Sequence, residues 1–233
     1  MDMKDKVVLV TGGSGGLGRE VVRSFMEAGA AVHVFERSAE GARKVLASER
    51  SRIEIHEVNV LDEKSIAAAF DAVVARSGRA DVLVNTVGGF MGAKPLAEVT
   101  VDEWNTMMNL NLTSVFLCCR EFVRRSDGSY GRIFNMSAMV GLVPQPKKVP
   151  YSISKAGVAL LTELLARELK GTGITVHAFA PSIIVTDANK ESMPEGDTRA
   201  WVRPASIAEM MLALCREEAG SMSGSTIQAY GGV

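Results

Sequence analysis

The chain has 233 residues, 47% hydrophobic and 23% charged, a composition too apolar for a disordered chain and a length sufficient for one large core. Lys+Arg 26 against Asp+Glu 27 leaves a formal charge of -1, so no basic field exists to hold a phosphate backbone and no nucleic-acid partner is expected. No apolar run reaches membrane-spanning length, and Met1 to Lys6 leads into a strand without an apolar leader, so no membrane partner is expected and the expected compartment is the cytoplasm.

Taken along the chain, short β-branched or apolar runs read as strands at Val7–Val10, Ala31–Phe35, Ile53–Val58, Val82–Val84, Arg132–Met136 and Thr175–Ala180, with a last strand near Ser225–Ala229. Helical periodicity fills the gaps, as at Leu17–Ala28, Lys64–Arg76 and Ser152–Lys170, the last ending at the Gly171-Thr172-Gly173 breaker. Pro144–Pro150 reads as a loop carrying Lys147 and Lys148. Cys118, Cys119 and Cys215 lack C-x-x-C spacing and lie in apolar helical stretches, so they read as reduced core thiols, and no metal is expected. Regular alternation of strand and helix implies right-handed crossovers between parallel strands, hence a single α/β unit over residues 1–233: a doubly wound, Rossmann-type sheet between two helical layers. Ligands belong at the carboxyl ends of its strands.

The first such end carries Thr11-Gly12-Gly13-Ser14-Gly15-Gly16-Leu17-Gly18, between a strand and an amphipathic helix. Glycines let a backbone approach a pyrophosphate closely, and the helix start adds N–H groups and a positive dipole end, so Gly12, Ser14, Gly15, Gly16, Leu17 and Gly18 are expected to hold a dinucleotide. At the tip of the second strand, Glu36 stands where a carboxylate accepts from both ribose hydroxyls, while the adjacent Arg37 would attract a 2′-phosphate. The strand-tip position favours Glu36, and therefore NAD(H), with NADP(H) possible.

Tyr151 and Lys155 are four residues apart at the start of a helical pattern and so share one face. A phenol has an ordinary pKa of about 10, and proton transfer near neutrality requires a neighbouring ammonium to lower it by about 3 units. Lys155 and the positive nicotinamide of a bound cofactor are the expected sources of that field.

With the glycine turn upstream, this pair resembles the short-chain dehydrogenase/reductase family over almost the whole chain. Asn85-Thr-Val-Gly88 matches that family's segment at the central sheet, and Trp104 to Asn111-Leu112 matches a helical one. By resemblance, Asn111 would hold a water beside Lys155 in a proton relay. Asn59, with Val60, would face adenine, Asn85 would support the cofactor site, and Ile184 and Thr186, in Pro181-Ser-Ile-Ile-Val-Thr186, would hold the nicotinamide. The resemblance implies hydride transfer between NAD(P)(H) and a small carbonyl, alcohol or imine-like substrate, and a homodimer or homotetramer formed through Asn105–Arg120 and Ser152–Lys170.

One position departs from the family. Where a serine usually polarises the substrate carbonyl, 13 residues before the tyrosine, this chain has Ala138. Ser137 is adjacent, but neighbouring strand residues point to opposite faces. Loss of such a donor typically reduces rate by about 10²–10³-fold. Either the acceptor is a conjugated C=N that needs less polarisation, or another group has moved into the role, or the protein binds NAD(H) as a non-catalytic sensor or structural protein. Dihydropteridine reductases are a branch that lacks the serine and prefers NADH. Gly88-Gly-Phe90, Asn189-Lys-Glu-Ser-Met-Pro194, Trp201 and Gly224-Ser-Thr-Ile-Gln228 resemble that branch, with Phe90 placed to stack on a flat substrate.

Overall fold

The computed structural model describes residues 2–49 and 52–232. Seven strands, β1 (Val7–Thr11), β2 (Ala31–Glu36), β3 (Ile53–Glu57), β4 (Val82–Asn85), β5 (Gly131–Met136), β6 (Ile174–Pro181) and β7 (Thr226–Ala229), form one sheet in the order β3-β2-β1-β4-β5-β6-β7. Every pairing is parallel. Strands β1, β4, β5 and β6 are buried along their whole length; β1 and β4 read as apolar runs up to their last residue, whereas β5 and β6 also bury Arg132, Asn135, Thr175 and His177.

Nine α-helices are described: α1 (Gly18–Glu27), α2 (Ala39–Val45), α3 (Glu63–Ser77), α4 (Val101–Met108), α5 (Ser114–Arg125), α6 (Met139–Leu142), α7 (Val149–Glu168), α8 (Asp187–Ser192) and α9 (Pro204–Leu214). Strand alternation divides the core in two. Val8, Val10 and Val34 pack with Phe25 of α1 and Met211 of α9 on one face, and Leu9, Phe35 and Leu83 pack with Phe70 of α3 and Phe122 of α5 on the other.

Helix α7 starts at Val149, inside the stretch expected to be a loop through Pro150. Proline in a first helical turn has the required φ and no N–H to leave unpaired, so Pro150 begins the helix instead of blocking it. Cys118, Cys119 and Cys215 are buried and free, and burial raises the pKa of each thiol. Asn85, expected at the cofactor, lies instead in the core. Its Nδ2 donates to Asn135 Oδ1 (2.9 Å), and Asn135 Nδ2 donates to Thr162 Oγ1 (3.0 Å), joining β4, β5 and α7. No helix among the described residues is long and apolar enough to cross a membrane.

Candidate active site

At the carboxyl end of β1 the chain turns sharply into α1. Gly12 has φ +69°, the left-handed region where a side chain is strained. Gly16 and Gly18 are needed for space instead. A Cβ on Gly18 would lie 2.1 Å from Gly12 O, and one on Gly16 would lie 2.5 Å from Thr186 Cγ2. Helix α1 has no side-chain cap at Leu17, whereas Asp62 caps α3 and Thr100 caps α4, so the backbone N–H groups at its start face the turn without a side-chain acceptor. This tight cradle at a helix start fits a dinucleotide pyrophosphate.

Glu36 lies at the end of β2 as expected, but one carboxylate oxygen accepts a hydrogen bond from Ser14 N (2.6 Å) and so fixes the glycine turn. The carboxylate expected at the ribose thus also braces the glycine turn. Arg37 is exposed beside it. Asn59 is also exposed, yet its Oδ1 accepts from Leu61 N (3.1 Å), a local turn that competes with the adenine contact expected of that oxygen. Val60 is partly buried, packed against the core beneath α3.

On the other side of the strand ends, α7 brings Tyr151 and Lys155 to one cavity wall. A cavity of about 260 Å³ is lined by Leu17, Gly88, Ala138, Tyr151, Lys155 and Ile184, among others, and so joins the glycine turn to the chemical pair. A neighbouring cavity of about 320 Å³ shares Phe90, Ala138 and Tyr151 and extends past Met139, Val140, Ile183 and Met193. Phe90 packs over the Tyr151 ring, with centroids 5.1 Å apart and planes inclined by 55°.

Lys155 is buried, and its Nζ donates to Met136 O (2.8 Å) at the end of β5. Burial pushes the Tyr151 phenol above its ordinary pKa and pulls Lys155 down to about 8. Desolvation is the cause acting on both groups.

Asn111 lies in a π-helical turn, Asn109–Thr113, between α4 and α5. Its Oδ1 accepts from Gly89 N (2.9 Å), and its Nδ2 donates to Gly89 O (3.1 Å) and Ser154 Oγ (3.1 Å). Its side-chain amide is bonded to the Gly88-Gly89 turn and to α7. It remains close to the lysine: one point, where a Cβ on Gly88 would stand, is 2.9 Å from Asn111 Oδ1 and 3.0 Å from Lys155 Nζ.

Ala138 is buried at the cavity wall with extended backbone, and the Ser137 hydroxyl points away, donating to Lys155 O (2.7 Å). Ser137 also borders the smaller cavity, and through this bond it holds α7 against the end of β5. Sequence reasoning missed Asn189, which lines both cavities and donates from Nδ2 to Ile184 O (2.8 Å). It also missed Thr86, whose Oγ1 donates to Thr11 O (2.6 Å) beneath the glycine turn. Each lies inside a stretch that carries the resemblance, Asn189–Pro194 and Asn85–Gly88, but such a stretch does not say which of its side chains faces the cavity or the glycine turn. Thr186 caps α8, its Oγ1 accepting from Asn189 N (3.2 Å).

Residues 6–196 match the family model described as short chain dehydrogenase. The chain is 32% identical over 247 residues to a 3-oxoacyl-[acyl-carrier-protein] reductase FabG of Aquifex aeolicus, covering 99% of this chain and 98% of that protein. Among solved structures it resembles ElxO with NADP bound, with TM-score 0.90, 26% identity and coverage of 97% of this chain and 98% of that one. It also resembles a 3-ketoacyl-(acyl-carrier-protein) reductase from Brucella melitensis complexed with NADH, with TM-score 0.88, 25% identity and coverage of 99% of both chains. Similarity over nearly the full length of each partner, with one neighbour holding NADP and the other NADH, makes this chain an enzyme of the short-chain dehydrogenase/reductase family of NAD(P)-dependent oxidoreductases.

Proposed function

We propose that this enzyme uses NADH to reduce a flat, conjugated C=N acceptor, an activity of the dihydropteridine-reductase type, with Tyr151 as proton donor. The observation that carries this reading is the cavity wall itself: Tyr151 and Ala138 line it together, with Phe90 over the phenol and no hydroxyl at position 138. A simple ketone needs a second donor as charge develops on its oxygen. A conjugated imine spreads that charge over its own framework and requires only the proton. The 3-oxoacyl reduction named for the relative is the competing reading, and Ala138 is the observation against it.

The residues that would hold the dinucleotide are Gly12 to Gly18 at the pyrophosphate, Glu36 at the ribose and Ile184 with Thr186 at the nicotinamide, and the bound cofactor supplies the hydride. Tyr151 holds the proton to be transferred at its phenolic oxygen, on the cavity wall. Lys155 places a cationic group against the same wall, and Asn111 positions the Gly88-Gly89 turn that carries Phe90. Lys148 is the charged side chain on the wall of the larger cavity, with Nζ 5.8 Å from the Phe90 centroid. Exposed Phe116, Ile153, Leu160 and Leu164 on α5 and α7 support the homodimer or homotetramer, and the buried thiols support a reducing, cytoplasmic setting.

The test is NADH and NADPH oxidation, side by side, against quinonoid dihydropteridine, simple ketones and acyl-thioester ketones, repeated with Tyr151→Phe. Faster turnover of the pterin with NADH, lost in the variant, is the expected result. Preference for an ordinary ketone, or full activity in Tyr151→Phe, rejects the reading.

A further inference from the structure

At the opposite side of the sheet from this chemistry, β2 and β3 bring together three side chains that neither the cofactor nor the substrate uses. The register pairs His33 with Glu54 and Phe35 with His56, so strand alternation places His33, Glu54 and His56 on one face, the face covered by α3. Their ligand atoms all lie within 4.8 Å of one another. His33 Nδ1 is 2.9 Å from His56 Nε2 and 4.0 Å from Glu54 Oε2.

We propose that His33 Nδ1, His56 Nε2 and a Glu54 carboxylate oxygen form a site for a divalent transition-metal ion of the zinc type, clamping edge strand β3 to β2. Zinc binds nitrogen at about 2.0–2.1 Å, so tetrahedral ligand atoms stand about 3.3–3.4 Å apart. The two nitrogens need to open by about 0.4 Å and the carboxylate to close by about 0.6 Å, shifts within the reach of side-chain rotation. Two imidazole nitrogens and one carboxylate oxygen are the donor set that zinc accepts, with the fourth position left to water.

The surroundings favour this arrangement. His33 is buried, and its other ring nitrogen lies 2.9 Å from Ser77 Oγ at the end of α3. In the tautomer that donates Nε2–H to that hydroxyl, the Nδ1 lone pair is directed at the other two ligands, the outer-sphere arrangement typical of metal-bound histidine. His56 is steadied edge-on against Phe35, with centroids 5.6 Å apart, and Phe35 in turn packs on Phe70. Glu54 is half-exposed, which gives an ion a route from solvent. Arg76 lies 3.5 Å from Glu54 Oε2, but its side chain is largely exposed and can withdraw into water when a cation arrives. No metal was expected from the sequence because the ligands are split between two strands, with 23 residues from His33 to His56 and no compact motif.

Strand β3 has a neighbour on one side only, and its end leads to Asn59, while Glu57 accepts from Ala39 N (3.3 Å) beside the Glu36 tip. A clamp here stiffens the adenosine side of the dinucleotide cradle without taking part in hydride transfer. The full chain, freed of metal by chelation, is titrated with Co²⁺ for tetrahedral ligand-field absorption and with Zn²⁺ for thermal stability. At a concentration 100-fold above Kd, Zn²⁺ raises Tm by about 5–10 °C. His56→Ala abolishes both signals, Glu54→Gln weakens binding at least tenfold, and Arg76→Ala, which removes the competing cation, tightens it. Melting of each metal-free variant confirms that it is folded. Absence of both signals in the unaltered protein, or equal affinity in the His56 and Glu54 variants, overturns the site.

Discussion

Restoring the missing donor with Ala138→Ser asks directly whether the chemistry is limited by carbonyl polarisation. Ala138 has extended backbone (φ −158°, ψ 159°), is buried, and lines the cavity beside Tyr151, so a hydroxyl on its Cβ enters the reaction space without leaving the strand conformation. A donor built into such a site contributes about 10²–10³ in rate, or about 3–4 kcal/mol. A grafted hydroxyl lacks the surrounding support that fixes its rotamer, so the expected gain in kcat/KM for a ketone is about tenfold, near 1.4 kcal/mol. The conjugated acceptor gains less than threefold. The new hydroxyl borders Met139, Val140 and Met193, and an unpaired buried hydroxyl destabilises by about 1–3 kcal/mol, a fall of roughly 2–10 °C in Tm for a chain of this size. The assay is NADH oxidation with a ketone and an imine-type acceptor, each as kcat/KM. Equal change for both acceptors, or no gain with the ketone while the protein stays folded, refutes the reasoning.

Gly16→Ala places a methyl group 2.5 Å from Thr186 Cγ2, and because Thr186 is β-branched and caps α8 it cannot simply rotate away. The KM for NADH should rise at least tenfold with little change in folding, and an unchanged KM would show that the turn is not the cofactor cradle. With Lys155 pulled down to about 8, its positive charge is present below that pH and lost as pH rises through it, so kcat/KM for reduction should fall above about pH 8. In Lys155→Arg any residual activity should lose that limb, as a guanidinium does not titrate there. Ser137→Ala removes the bond to Lys155 O and should lower stability by about 1 kcal/mol while leaving kcat within a few fold; a hundredfold loss of kcat would make Ser137 the replacement donor.

The parallel core was legible because strands covered on both faces are rich in apolar residues, in nearly unbroken runs at β1 and β4. The Gly12–Gly18 turn was legible because its spacing follows from backbone geometry. Strand alternation likewise foretold that Ser137 and Ala138 face opposite ways, and the Ser137 hydroxyl does point to α7. What sequence could not give was the destination of each polar group. Asn85 and Asn111 both looked like site residues, yet one bonds within the core and the other ties a glycine turn to α7, since an amide's partners are chosen by the elements packed around it. The π turn carrying Asn111 has no local signature, and Glu36 shares its carboxylate with Ser14 N, 22 residues away, a contact that exists only once β2 lies beside β1.

The buried bond between Asn85 and Asn135 bears on how the sequence can change. These residues face each other in the β4–β5 register, both buried within the sheet. Replacing one amide with leucine leaves the other without its partner, at about 1–3 kcal/mol, whereas replacing both with well-fitting apolar residues is close to neutral. The two positions therefore drift as a pair or not at all. A lineage that loses one asparagine sits in a fitness valley until the other follows, so across distant relatives the amides should be kept together or lost together.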